Sequence, residues 1–316
     1  MKLFFLERIE GSKPKGKMMK PEVKKALYAE VTAGLIEQME QGVAIWQKPW
    51  VVSKAYQPQN GHSGRLYNGF NRMYLGWLQA DFYNSQDPRW FTMNNVKEIG
   101  AKVRKGSKST IVVYNAPAVS EITNESTGEV ETKTWWNVKY YRVFHASLID
   151  GLPEYDVESE APVQDDADVD YDMSAMINWC CENLSAPVEH GGDRAYYVPA
   201  LDYISLPDED MFHRKSWYAQ TLAHEIIHAT GHEKRLNRLD KAGFGTDSYA
   251  KEELVAEFGA AMLCGSLNIP ADMEQSAAYL KGWAAKCKED PSLLISAANM
   301  AEKAVDYVTE DVYATA

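Results

Sequence analysis

Residues 216–231 read Ser-Trp-Tyr-Ala-Gln-Thr-Leu-Ala-His-Glu-Ile-Ile-His-Ala-Thr-Gly, and His224-Glu225-Ile226-Ile227-His228 within them spells HExxH. The stretch has helical character, and residues i and i+4 of a helix stand one turn apart on one face. Both imidazoles can then reach a single metal ion. Glu225 follows His224, near enough to touch a water held by that ion without being a ligand itself. A divalent ion such as Zn²⁺ makes such a water nucleophilic near neutral pH, and Glu225 can take its proton and pass it on.

Chance alone yields HExxH in a chain of this length at about the per-cent level, so a third ligand has to carry the argument. His224, His228 and His232 would span about 12 Å of helix at about 1.5 Å per residue, too far to close on one ion unless Gly231 breaks the helix sharply. A longer pattern, HExxHxxGxxH, needs histidine at 234, where this chain has Lys234. There remains Glu252-Glu253-Leu254-Val255-Ala256-Glu257, on the next helix-like run. A glutamate from a second helix completes a His₂Glu site with one position left for water. We expect Glu253 to bind the metal and Glu257 to accept the other N–H of a ligating histidine, His224. Glu252 or Glu257 as third ligand is the alternative, and His232 is expected to be a surface or capping histidine.

Around this motif the chain divides by charge. Of 316 residues, 33 are Lys or Arg and 45 Asp or Glu, a net −12 that taken whole argues against a nucleic-acid partner. Residues 1–150, however, hold 21 basic and 14 acidic side chains (+7), and residues 151–316 hold 12 and 31 (−19). The seam is Glu154 to Asp172, EYDVESEAPVQDDADVDYD, which has no Lys or Arg and reads as a solvated acidic linker. The organisation expected is an extension over residues 1–18, a first domain over 19–153, a linker over 154–172 and a second domain over 173–316. Apolar residues at 45% and charged residues at 25% are globular values. No stretch of 18 apolar residues exists, and Leu3 to Leu6 is too short for a signal segment. Four cysteines without CxxC spacing fit buried thiols in a reducing cytoplasm.

The fold class expected is α+β. In the first domain, helices are predicted over Pro21–Gln41, with Val23, Leu27, Val31 and Leu35 on one face and Gly42 as stop, and over Gly69–Asn84. Strands are predicted at Ile111–Asn115 and Trp135–His145. In the second, a helix over Ser174–Leu184 precedes strands Ala195–Val198 and Asp202–Leu206. Helices Ser216–Thr230 and Lys251–Leu267 follow, then helical segments to the end. A substrate strand is expected along an edge near Asp202–Leu206.

The first domain carries Trp46, Trp50, Trp77, Trp90, Trp135 and Trp136, with Tyr56, Tyr67, Phe70, Tyr74, Tyr140 and Tyr141, interleaved with basic residues. Aromatic platforms beside a basic groove suit single-stranded nucleic acid, because unpaired bases stack while Lys and Arg follow the phosphates. Packed cores use the same aromatics, so composition leaves both readings open. The residues we would place on DNA are Trp46, Lys48, Trp50, Arg65, Tyr67, Arg72, Arg104, Lys105 and Lys108. Arg104-Lys105-Gly106-Ser107-Lys108 reads as a loop tip suited to phosphate.

These motifs in this order resemble the ArdC-type antirestriction proteins of conjugative plasmids and related mobile elements. The resemblance rests on Trp46-Gln47-Lys48-Pro49-Trp50, Gly64 to Gly69, Val103 to Lys108, Tyr141 to His145, Gly191 to Tyr197, Asp202-Tyr203-Ile204, His224 to His232 and Glu252 to Glu257. It implies an N-terminal single-stranded-DNA-binding domain and a C-terminal zincin-like (gluzincin) metallopeptidase domain. It further implies protection of incoming DNA from host restriction, and zinc as cofactor with manganese as the alternative. The partner it implies is single-stranded DNA; a host protein substrate is the further partner that the metal motif would call for. The competing expectations are a DNA-coating protein whose metal is only structural, and a metallopeptidase whose first domain recruits a protein.

Overall fold

The structure, a computed structural model, describes residues 19–45, 57–123, 130–155, 178–239, 247–267, 269 and 277–314. Trp46, Lys48, Trp50, the extension and most of the acidic linker lie outside these residues, as does the start of the helix expected from Ser174.

Helix α1 (Pro21–Glu40) begins with proline at its first turn, where the missing N–H costs nothing, and runs to a turn at Gln41–Gly42. Leu27, Val31 and Leu35 are buried as the spacing predicts, but Val23 is exposed because the first turn overhangs the core. Strand β1 (Gln59–Asn60) leads to α2 (Gly69–Trp77), which loosens into a π turn over Leu78–Phe82. The helix expected to reach Asn84 therefore stops short. The Tyr83 N–H reaches back to Leu78 O across this wide turn, and Asn84 then takes a left-handed conformation (φ 44°).

Next come β2 (Arg89–Thr92), α3 (Met93–Glu98), β3 (Lys102–Val103), β4 (Thr110–Thr123), β5 (Val130–His145) and β6 (Ile149–Asp150). The main sheet has the order β1-β2-β5-β4, with β1 parallel to β2 and the other pairs antiparallel. Strands β3 and β6 form a separate ribbon. Asn71 of α2 bonds both backbone groups of Val113, which closes the outer edge of β4 at that point.

The second half holds a three-stranded sheet of β7 (Val188–His190), β8 (Tyr196–Val198) and β9 (Tyr203–Leu206) in the order β7-β9-β8. The two strands expected here pair as an antiparallel hairpin, but β9 is the central strand of the sheet, with β7 parallel on its far side. The edge beside Asp202–Leu206 is thus filled, and β8 is the edge facing the cleft described below.

Helices α4 (Lys215–Thr230), α5 (Asp247–Ser266), α6 (Ala277–Glu289) and α7 (Ser292–Ala314) complete the chain. Helix α5 packs between α4 and α7, while α1 packs on α6 and α7 and α2 packs on α7. Apolar side chains from both halves, from Leu27 and Phe70 to Leu294 and Ala301, join in one core. No helix among the described residues is long and apolar enough to cross a membrane.

Candidate functional site

The cross-over of α4 and α5 is set by Gly259. A Cβ there would lie 2.8–2.9 Å from three carbon atoms of Ile227, closer than carbon atoms can approach. Glycine lets the two backbones come near, which brings Glu253 and Glu257 level with the HExxH turn. His224 Nε2 and His228 Nε2 face each other at 3.1 Å. Glu253 reaches both, Oε2 at 3.8 Å from His224 Nε2 and Oε1 at 3.7 Å from His228 Nε2. Among the described residues this trio forms the group suited to a metal ion, its donor atoms all within 4.8 Å of one another. Two nitrogens on tetrahedral zinc at about 2.0–2.1 Å stand about 3.3 Å apart, so the donor set fits such an ion with little movement.

The rear nitrogens of the two rings face carboxylates. His224 Nδ1 lies 3.5 Å from Glu257 Oε1, the contact expected, and His228 Nδ1 lies 3.2 Å from Glu252 Oε1. A ring that gives its Nδ1 proton to a carboxylate presents a lone pair at Nε2, the form a metal needs. Glu252 therefore stands behind a histidine rather than in the donor trio. It is held by a two-pronged ion pair, accepting Arg238 Nε at 2.7 Å and Nη2 at 2.8 Å. Arg238 also bonds Ile227 O and Thr230 Oγ1, tying the glutamate to the end of α4.

These surroundings set the protonation states. Burial, and then the neighbouring His228, hold His224 well below the ordinary histidine pKa. Burial also acts downward on His228, but the Glu252 hydrogen bond and the charges of Glu225, Glu252 and Glu253 outweigh it and raise the ring's pKa. Burial pushes Glu225 up to about 7, against the lowering pull of His228 and of the Tyr197 backbone N–H it accepts. A carboxyl poised near neutrality can both take and return a proton.

The pair opens into a cleft of about 630 Å³, lined by Tyr196, Tyr197, Tyr249, Arg238 and Met300 beside the histidines and glutamates. That volume suits a few residues of an extended chain or a small organic ligand. One wall is fixed by Arg235, whose side chain is 4% exposed. It donates to Asp202, to the Tyr197 hydroxyl at 3.0 Å, and to the carbonyls of Leu184 and Ala229. Of the two expectations for His232 the surface one fails, since it is 8% exposed, but its Nδ1 accepts the Lys234 N–H at 3.2 Å, as a capping histidine would, and lies 3.8 Å from Asp202. The turn after Gly231 folds it inward against that charge. Sequence reasoning missed Arg235 and Arg238. The signal was there, two arginines close behind the motif in a half with few cations.

In the first half, the residues expected on DNA separate. Arg65 is exposed at the end of a turn in which Asn60 Oδ1 accepts the N–H groups of His62 and Ser63. Arg104, Lys105 and Lys108 are exposed on the turn following β3, with Arg104 3.8 Å from Asp150 and bonded to Ser147 O. Tyr67 and Arg72 depart from expectation. Tyr67 is 7% exposed and packs in the core, and Arg72 is turned inward onto Glu302 of α7, 3.3 Å away. Neither is presented to a phosphate. Trp77 and Trp90 are also core residues.

Comparison with known proteins adds to this geometry. The family model for the N-terminal domain of anti-restriction factor ArdC matches residues 25–145, and that for a zincin-like metallopeptidase matches residues 175–300. A crystal structure of the antirestriction ArdC protein from plasmid R388, metal-free, is 37% identical with a TM-score of 0.70. The alignment covers 91% of this chain and 98% of that one. Its Mn(II)-bound form is 36% identical with a TM-score of 0.69, over 90% and 97% of the two chains. DNA primase TraC of Escherichia coli is 35% identical over 303 residues, 91% of this chain but only 27% of the primase. The chain thus spans about a quarter of that relative's length.

Proposed function

The chain belongs to the ArdC family of antirestriction proteins, and on that premise we propose that it protects incoming DNA from host restriction, in the cytoplasm, by binding single strands through its first half. We further propose that His224, His228 and Glu253 hold a divalent cation, zinc by preference with manganese as the alternative, and that the second half hydrolyses a peptide bond of a host protein. The observation that carries this is the meeting of those three donors beside a buried Glu225.

A bound divalent cation would supply Lewis acidity and lower the pKa of water. The protein's own groups do the rest. Glu225, held by the Tyr197 N–H, takes a proton from the attacking water and delivers it to the departing amine. An extended peptide would lie along β8, the strand edge at the cleft. Glu257 and Glu252 keep both imidazoles facing forward throughout.

The test is conjugation of a plasmid carrying restriction sites into a restricting recipient, with wild-type protein, Glu225→Gln, or none. Wild-type protein should raise the number of transconjugants, and no rise would overturn the protective reading. Glu225→Gln should keep its metal and its DNA binding and lose whatever share of the protection depends on hydrolysis. Full protection by that variant would leave the DNA-binding half as the agent and remove hydrolysis from the mechanism.

A further inference from the structure

The long ribbon of β4 and β5 carries an exposed aromatic pair. Strand β5 has a second neighbour, β2, only where Trp90, Phe91 and Thr92 pair with His145, Phe144 and Val143. Among the described residues, β5 pairs with β4 alone from Arg142 back to Val130, so the ribbon runs on beyond β2. Register places Val112 opposite Tyr141 and Tyr114 opposite Lys139. Side chains alternate along strands, so Tyr114, Tyr141 and Lys139 share one face. The two tyrosines are diagonal neighbours, their ring centroids 5.6 Å apart and their planes at 66°. They are 43% and 36% exposed, whereas Phe70, Trp77, Trp90 and Phe91 are at most 4% exposed.

Two cations flank the pair. Arg65 stands near enough to Tyr141 for its positive charge to act on that hydroxyl. Lys139 is exposed opposite Tyr114. On the same face Thr110, Val112, Asn137 and Val143 are buried, so the exposed patch is Tyr114, Tyr141 and Lys139, and none of the eight strand residues on that face is a carboxylate. Tyr67 packs against Tyr141 from below; its hydroxyl is buried and makes no well-formed hydrogen bond among the described residues. It supports the upper ring rather than meeting a ligand.

We propose that Tyr114 and Tyr141 form a stacking platform for two bases of single-stranded DNA, with Arg65 and Lys139 on the adjoining phosphates. This rests on the reading of the first half as a single-strand binder and says where the strand lies. Unpaired bases offer flat faces to tyrosine rings, and two cations on a face without carboxylates suit the phosphate backbone. A duplex hides its base faces, so the platform favours single strands.

The experiment is fluorescence anisotropy of a labelled oligothymidylate of about 16 nucleotides, at the long end of site sizes for such surfaces, with the full chain. The Y114A/Y141A double variant should bind at least about tenfold more weakly, with an unchanged slope of log affinity against log salt. Y114F/Y141F keeps both rings and should stay within about twofold of wild type, which controls for folding. R65A/K139A should flatten the salt slope by about 1.4. Wild-type affinity in Y114A/Y141A, or equal affinity of wild-type protein for duplex and single strand, overturns the platform while leaving the first half a DNA binder. Absence of salt-sensitive binding by wild-type protein overturns that underlying reading as well.

Discussion

Asn299 of α7 accepts the backbone N–H of Phe70 at 3.0 Å, so helix α2 is capped by a side chain 229 positions away. Its own N-cap residue, Asn68, makes no side-chain cap. One turn further along α7, Glu302 holds Arg72. Gly69 fits here because its φ is +53° and a Cβ would fall 2.0 Å from Asn299 Oδ1. Asn299→Ala should cost about 1 kcal/mol, the loss of a cap. Gly69→Ala should cost more, since strain and collision add. Urea unfolding followed by probes in each half would check this, and the shared core requires both probes to shift together.

Addition of Zn²⁺ or Mn²⁺ should raise the melting temperature of the wild-type chain, by about 2.7 kcal/mol of stability at a hundredfold excess over Kd. His228→Ala should abolish the rise. Glu252→Gln leaves the donor trio intact but weakens the hold on His228 Nδ1, and should lower metal affinity about 10- to 100-fold in competition with a chelator. An unchanged affinity would show that Arg238 and Glu252 do not organise the ring.

Asp202 makes the fold acid-sensitive in a defined direction. Burial acts to raise its pKa, but the hydrogen bonds from Arg235 and Tyr197 and the charges of Arg235 and His232 win, and the net shift is downward. A carboxyl with a depressed folded pKa stabilises above its unfolded value of about 3.9, and that contribution is lost as pH falls through the folded pKa. Asp202→Asn keeps a side chain tolerant of the left-handed backbone (φ 55°). It should lose about 2 kcal/mol at pH 7 and show a smaller further loss on acidification than wild type. Urea midpoints from about pH 6 to about pH 3 measure the difference between the two chains.

Cys264 and Cys287 are buried, and burial pushes both thiols up to about 12. At pH 8 only about one in ten thousand would be ionised, and the thiolate is the reactive form. Neither should be alkylated by iodoacetamide in the folded protein, and both should react in urea, as peptide mass spectrometry would read. Rapid native labelling of Cys264 would mean that α5 opens from α7.

Local pattern made the second half readable. HExxH and the Glu253–Glu257 spacing each lie within one helix, so periodicity alone brought their side chains to one face. What joined them, the Gly259–Ile227 contact, lies between helices and leaves no mark in spacing. The roles of Arg235 and Arg238 were hidden for the same reason: their position behind the motif was visible, but their partners Asp202 and Glu252 lie on other elements. In the first half, interleaved aromatic and basic residues could not tell inside from outside. Arg72 looked like a phosphate contact until Glu302, far along the chain, proved to be its partner. The parallel β7 was missed because its three residues carry no alternating pattern, and with it the central place of β9.

The packing of α1 on α6 and α7 bears on how the chain is made. The first helix leaves the ribosome with Leu27, Val31 and Leu35 ready to be covered, yet two of its covering helices begin only at Ala277 and Ser292. At about 5–20 residues per second, roughly 10–50 s pass before they are synthesised. Through that interval the nascent first half shows an apolar stripe that its finished form hides. Synthesis order and assembly order are therefore opposed here. Early folding falls to the local β4–β5 ribbon, and α1 settles only after helices made long after it.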